Sequence, residues 1–459
     1  MASSRKLPPD IVLRQCLVDH LTPYADQPVA IALSGGLDSV VLLHLAAQVA
    51  PSLGITLQAL HVNHQISPNA AVWAQFCVDL CTRLGIPIAV VALQLQRQGG
   101  ESLEAVARDA RYTALRRLPV HAVLLAHHQD DQAETVLLQL LRGGGVKGMA
   151  AMPAIRHAVG WPDFVRPFLT VPRQVLAGYA QSSALQWVED ESNTDTRYDR
   201  NFIRHRILPQ LAESYPEVRQ VLGRAASLCA EASELQDALA GLDAKGVDWS
   251  SRTLPIKCFD HLSPARAGNL LRWFVAKCGA TLPAASQQEA LKQLLGQRVD
   301  ADPRIRLSCG FLARYDGLIW LVRDAVLQAD QVGFEWRGPG QMDFASLSGR
   351  LIAQMSHGHG VALSRLAGPL CLRLRQGGEM LRPRMGGPSR PVKALLQEAR
   401  VPPWVRTRLP LLFAGDALVA IPGIAVDADA QAASGVPSVV FDWQCLDTTA
   451  ETTFPPSGC

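Results

Sequence analysis

Four short β-branched or apolar runs, at residues 29–33, 55–62, 86–93 and 122–126, alternate with longer amphipathic segments at 39–50, 69–84, 103–118 and 131–142. Few folds accept that order. A strand lying parallel to its predecessor needs a crossover of a dozen or more residues, normally a helix, so the repeated β-α order predicts a doubly wound parallel sheet. Such sheets take ligands beyond the carboxyl ends of their strands. The polar residues here obey that polarity: SGGLDS (34–39) follows the first run, NHQ (63–65) the second and HHQDD (127–131) the fourth.

With 459 residues, 48% of them hydrophobic, the chain exceeds one ordinary core, and several domains are expected. A charge-dense stretch at 187–209 closes the α/β unit, which we bound at 1–211. Residues 212–337 read as a helical linker and a mostly helical middle domain, with helices at 216–239 and 264–296 and strand-like runs at 304–312 and 318–322. The Gly- and Ser-rich passage 338–365 reads as a second linker, 366–445 as a small α+β domain and 446–459 as a tail. No N-terminal apolar run suits a signal segment, and no stretch stays apolar for the length of a bilayer, so the cytoplasm, with no membrane partner, is the expected location. Ten cysteines are scattered singly, and the close pair Cys77 and Cys81 is spaced like one helix face rather than a CxxC motif, so reduced thiols are expected. The net charge is only +3, but nine basic residues face two acidic ones between Arg373 and Arg408, a local +7 that leaves −4 elsewhere. That asymmetry points to a polyanionic partner near the C-terminal end.

Three constellations carry chemistry. In SGGLDS, Gly35 and Gly36 allow a tight turn whose N–H groups, with the following helix N-terminus, would cradle a phosphate; Ser34, Leu37, Asp38 and Ser39 complete the loop. No G-K-[ST] follows, so this is not a Walker-type loop. In AHHQDDQAET, Asp130 or Asp131 would face Asp38 across the crevice, although carboxylates at a helix start also serve as caps. Arginines recur at helical spacing, first Arg108 and Arg111, then Arg197, Arg200 and Arg204.

SGGLDS matches the signature of the PP-loop ATP pyrophosphatases. AHHQDDQAETVLLQLLRGGGVKGMAAM, SNTDTRYDRNFIRHRILP, HVNHQIS and EAVARDARY together resemble the tRNA(Ile)-lysidine synthetase family, with Ala126 where glycine is usual. The C-terminal LRLRQGGEMLRPRMGGPSRPVKALLQEARVPPWVRTRLPLL is similar to the terminal tRNA-binding domain of its longer members, although the loop keeps one lysine where a pair is usual. The resemblance implies ATP over residues 34–39 with His61 and Arg108 nearby, and Mg2+ on Asp38 and one of Asp130 and Asp131. It also implies adenylation of the wobble cytidine of a tRNA(Ile) with a CAU anticodon, followed by attack of L-lysine. Asp38, Arg111, Asp130, Asp131 and His128 are the catalytic candidates, and His64, His127, His128 or Glu134 would take the proton of the lysine amine. Arg197, Arg200, Arg204, Arg382, Arg384, Lys393 and Arg406 would contact the tRNA. The rivals are a thiolase of the same fold, which needs reactive cysteines, and a tRNA-binding module without catalysis. Whether the chain forms a homodimer is left open.

Overall fold

Strand β1 (Pro28–Ala32) lies inside a six-stranded sheet of order β3-β2-β1-β4-β6-β5, with β2 at Thr56–Asn63, β3 at Ile88–Ala92, β4 at Ala122–Leu124, β5 at Ile155–Arg156 and β6 at Asp163–Val165. The computed structural model describes residues 8–65, 67–93, 103–157, 160–247, 252–282, 284–296, 303–324 and 327–445; the tail expected at 446–459 lies outside them. All neighbours in this sheet run parallel except the edge strand β5, which turns back antiparallel on β6. The helices are α1 (Pro9–Leu21), α2 (Leu37–Val49), α3 (Ala70–Leu84), α4 (Leu103–Arg116), α5 (Gln129–Leu141), α6 (Val146–Met149), α7 (Arg173–Ser182), α8 (Asp199–Phe202) and α9 (Leu208–Ser214).

Alternation along the strands separates two cores. Ile31 and Ala59 face the side covered by α1, α2, α3 and α7, while Ala30, Leu60 and Val123 face Tyr112 and Leu115 of α4. Helix α2 is apolar on nearly every side, the pattern of a helix that must lie inside. Its burial fixes its first turn, and with it Asp38, at the carboxyl end of β1. The described residues up to Leu235 form one compact unit, and those from Gln236 onward a second.

In the second unit, helices Pro264–Lys277 and Ala284–Leu295 pack on a four-stranded antiparallel sheet of 253–255, 318–323, 310–315 and 304–307. The run expected at 304–312 is therefore two strands joined by a turn. Two further antiparallel sheets share a core with helices Val392–Glu398 and Pro403–Arg406. The expected linker at 338–365 is corrected: Gly340–Phe344 and Gly349–His357 are strands, the latter paired along its whole length with Pro437–Cys445. Two of its glycines, Gly349 and Gly360, serve close packing. A Cβ on Gly349 would lie 1.9 Å from the Trp443 ring, and one on Gly360 would lie 2.5 Å from the Val439 carbonyl oxygen. Among the described residues no helix is long and apolar enough to cross a membrane.

Candidate functional site

The loop between β1 and α2 is held from within. Gly35 has φ +87°, and a Cβ there would approach Val188 Cγ2 to 2.9 Å and Cys77 Sγ to 3.1 Å, so glycine is demanded by both conformation and space. The Ser34 and Ser39 hydroxyls lie 3.0 Å apart; Ser39 donates to the Gly36 carbonyl at 2.9 Å, and Ser34 Oγ accepts the Gly36 N–H at 3.3 Å. The serines thus shape the loop, and Leu37 is buried behind it.

Asp38 opens into a cleft of about 580 Å3 with His127, His128, Asp131 and Arg173. Its Oδ2 lies 3.5 Å from His128 Nε2 and 3.7 Å from Arg173 Nε, while its Oδ1 is buried without a partner. His128 caps α5: its Nδ1 accepts the Asp131 N–H, and Asp131 Oδ2 accepts the His128 N–H. Because Nδ1 accepts, the ring proton sits on Nε2, which faces Asp38 and lies 3.3 Å from Asp131 Oδ2. Burial alone would lower its pKa, but the hydrogen bond to Asp38 and the charges of Asp131, Asp38 and Asp130 raise it. Its neighbour His127 goes the other way. Burial pushes His127 down to about 3, Arg166, Arg200 and Arg111 adding to the effect against Asp131, and its Nδ1 has no partner.

Asp131 and Glu134 lie one turn apart on α5, and Arg200 and Arg204 lie one turn apart on the helix that runs through α8, a wider turn at Ile203–Ile207, and α9. The four side chains interlock. Arg200 Nε donates to Glu134 Oε2 at 2.7 Å and Arg204 Nε to Oε1 at 2.6 Å, while both Nη2 groups reach Asp131 Oδ1 at 3.0 and 3.1 Å. Burial would raise the Asp131 pKa, yet His128, Arg200, His127 and Arg204 bring it down to about 2.

This geometry corrects three expectations. Arg200 and Arg204 turn inward to carboxylates rather than outward, leaving Arg197, exposed and hydrogen-bonded to Asp195, as the member of that set on the surface. Glu134 is fully buried, with one carboxylate oxygen taken by Arg200 and the other by Arg204. Asp130 points away from the cleft, its Oδ1 accepting the Arg173 N–H at 3.0 Å and its Oδ2 lying 2.6 Å from Arg219 Nε.

A second cleft, about 470 Å3, lies over the end of β2 and is lined by His61, Val62, His64 and Trp73. His61 donates Nδ1–H to the Leu33 carbonyl at 2.9 Å; burial lowers its pKa, and burial, with Arg111 and His61 behind it, lowers that of His64. Ala32, Ser34, Arg111 and Asp190 line both clefts. Arg111 therefore stands where they meet, while Arg108, one turn earlier, is exposed. The sequence reading missed Arg173 and Asp190. A cation in the first turn of α7, against the helix dipole, was the available signal for Arg173. Cys77 and Cys81 are buried, and burial pushes their thiols up to about 12 and about 11, so neither is a reactive thiolate.

In the second unit the basic segment is largely neutralised. Arg375 pairs with Glu379, Arg382 with Asp429, Arg390 with Glu398 and Arg400 with Asp316. Arg406 is structural, donating Nε–H to the Val401 carbonyl at 2.6 Å and Nη2–H to the Tyr315 hydroxyl at 3.2 Å beside a cluster of Trp404, Tyr315 and Trp320. Arg384 and Lys393 are exposed, and among the described residues their side chains meet no acidic partner. Residues 370–443 hold nine basic residues and six acidic ones, a net +3 rather than +7.

Comparison with known proteins matches residues 11–211 to the PP-loop domain, 254–320 to the TilS substrate binding domain and 370–443 to the TilS substrate C-terminal domain. The tRNA(Ile)-lysidine synthase of Nitrosomonas europaea is 39% identical over 96% of this chain and 98% of its own. That of Azoarcus sp. (strain BH72) is 40% identical over 90% of each chain. Among solved structures, the U34-tRNA thiolase of Methanococcus maripaludis aligns with 48% of this chain and 78% of its own, at 19% identity and a TM-score of 0.42.

Proposed function

The chain belongs to the tRNA(Ile)-lysidine synthase family, and from that membership we infer an ATP-dependent ligase that adenylates carbon 2 of the wobble cytidine in the CAU anticodon of tRNA(Ile). Adenylation releases pyrophosphate, the joining of lysine then expels AMP, and the tRNA reads AUA. A PP-loop domain binds ATP. ATP and tRNA as substrates put the reaction in the cytoplasm.

The meeting of the two clefts at Arg111 carries our assignment of parts. The adenosine occupies the cleft beside His61 and Trp73, the β- and γ-phosphates lie over residues 34–39, and the α-phosphate lies between them at Arg111. Loop amides and the first turn of α2 then oppose the charge that builds on the departing pyrophosphate. The cytidine, flipped out of its stack, brings O2 to the α-phosphorus from the larger cleft. Lysine attacks carbon 2 after its ammonium loses a proton. With Glu134 held by arginines and His64 in the other cleft, His127 and His128 are the residues within reach.

Asp38 fits Mg2+, since its buried Oδ1 has no partner and such an ion takes one or two protein carboxylates beside phosphate and water. Asp131, expected as a second ligand, has its oxygens engaged by Arg200, Arg204 and His128. When bound at Asp38, Mg2+ would supply neutralising charge to the phosphates. In the second unit, Arg384 and Lys393 are our first candidates for tRNA phosphate contacts, and Arg382 follows.

The test is incubation with ATP, Mg2+, radiolabelled lysine and a tRNA(Ile) bearing CAU. Label recovered in the RNA is expected, and RNA free of label overturns the reading. Asp38→Ala should lower tRNA-dependent AMP formation by about 10²–10³, on the scale of losing one preorganised electrostatic group, with tRNA binding intact.

A further inference from the structure

Three arginines crowd one tyrosine behind the junction of the clefts. The guanidinium carbons of Arg108 and Arg111 lie 5.6 and 5.7 Å from the Tyr112 ring centroid, and the charge of the Arg166 guanidinium acts on the Tyr112 hydroxyl. The ring itself is immobilised. Tyr112 is buried, with Phe164 packed edge-on at 5.3 Å, and Arg166 is buried too, donating Nη1–H to the Pro153 carbonyl at 2.9 Å.

The charge of this group is unbalanced. Among the described residues neither Arg111 nor Arg166 forms an ion pair with a carboxylate, and the Nε–H of each is buried without a partner. Buried cations without counter-charge are costly, and a π face with an oxygen dipole offsets only part of that cost. The arrangement suits an arriving anion. Burial by itself would raise the Tyr112 pKa, but the surrounding Arg166, Arg108 and Arg111 lower it, in keeping with a hydroxyl oxygen that serves cations.

We propose that Tyr112 is a positioning residue for the adenylation step: its ring carries the Arg111 guanidinium, so Arg111 faces the junction of the clefts before nucleotide arrives. This rests on the reading that the α-phosphate lies at Arg111. Position is what a flexible arginine lacks when left alone, and a displacement of about 1 Å in a group near the chemistry can lower a rate about 10²-fold. Tyr112 touches no substrate in this scheme and acts through Arg111.

The experiment compares full-length Tyr112→Leu, Tyr112→Phe and Arg111→Gln in tRNA-dependent AMP formation, with thermal melting of each. Tyr112→Leu should lower kcat by about 10–10²-fold with little change in the KM for ATP, since the group that is misplaced acts on the α-phosphate during transfer. Tyr112→Phe keeps the ring that carries Arg111 and loses only the hydroxyl, so it should recover most of that rate, remaining within about tenfold of the parent. Two results overturn the proposal: a Leu variant with normal kcat, or Leu and Phe variants that lose kcat equally. Melting of the Phe variant guards against misfolding, because phenylalanine preserves the packing on Phe164. Arg111→Gln separates the two readings. If it forms AMP normally, the placement of the α-phosphate fails; if it is inactive while Tyr112→Leu is normal, only the role of Tyr112 fails.

Discussion

In the first unit Arg200 and Arg204 reach inward to Glu134 and Asp131, and all four groups are largely withdrawn from water. In the second unit Arg390 and Arg382 meet Glu398 and Asp429 at the surface. The difference lies in what each pair can give up. A buried pair cannot release one partner without stranding the other, so it fixes geometry. A surface pair is nearly neutral in stability and can exchange its carboxylate for a phosphate. Arginine spacing alone therefore does not reveal whether a helix faces RNA or braces an active site.

The sharpest way to break this comparison is Glu134→Gln. It leaves two buried guanidiniums facing one carboxylate and should cost about 3–5 kcal/mol in denaturant unfolding. Arg390→Ala in the same assay should leave the unfolding midpoint where it was. If the two substitutions have similar effects, the distinction between the regions is lost.

Asp131→Asn tests the same network through pH. The Asp131 pKa is depressed in the folded protein to about 2 from an ordinary value of 3.8, so its contribution is present above the unfolded value and disappears as pH falls through the folded one. A shift of that size corresponds to about 2 kcal/mol at pH 7. The stability gap between Asp131→Asn and the parent should accordingly be widest near neutrality and narrow between pH 4 and about 2. A gap independent of pH would assign the loss to packing instead.

The smallest effects separate the terminal arginines. Arg384→Ala should weaken tRNA binding modestly and reduce the slope of log affinity against log salt by about one phosphate's worth. Arg406→Ala should lower the melting temperature through its lost bonds to Val401 and Tyr315 and leave that slope alone. A salt slope that responds to Arg406 and ignores Arg384 would reverse our assignment of the two.

Much of the first unit was legible beforehand. Every strand and helix expected between 29 and 142 is present, because period-2 and period-3.6 patterns are local signals, and the loop at 34–39 stands between β1 and α2. Asp130 and Asp131 were interchangeable on paper. Adjacent residues on a helix point about 100° apart, so one faces the cleft and the other Arg219, and sequence does not say which. Residues 338–365 misled by composition: their glycines read as flexible, whereas Gly349 is small because Trp443, far along the chain, lies on its backbone.

The amino-acid order by itself determined the β-α alternation, the Gly-Gly turn at the end of β1, the carboxylates at the start of α5 and, through its motifs, the family. Each depends on residues within one or two turns of one another. Only the tertiary structure decided which arginines are spent on carboxylates, which aspartate sees the cleft, and that Arg111 stands where two cavities meet. Those facts depend on what packs opposite a side chain, and that partner comes from tens of residues away, where no local pattern records it.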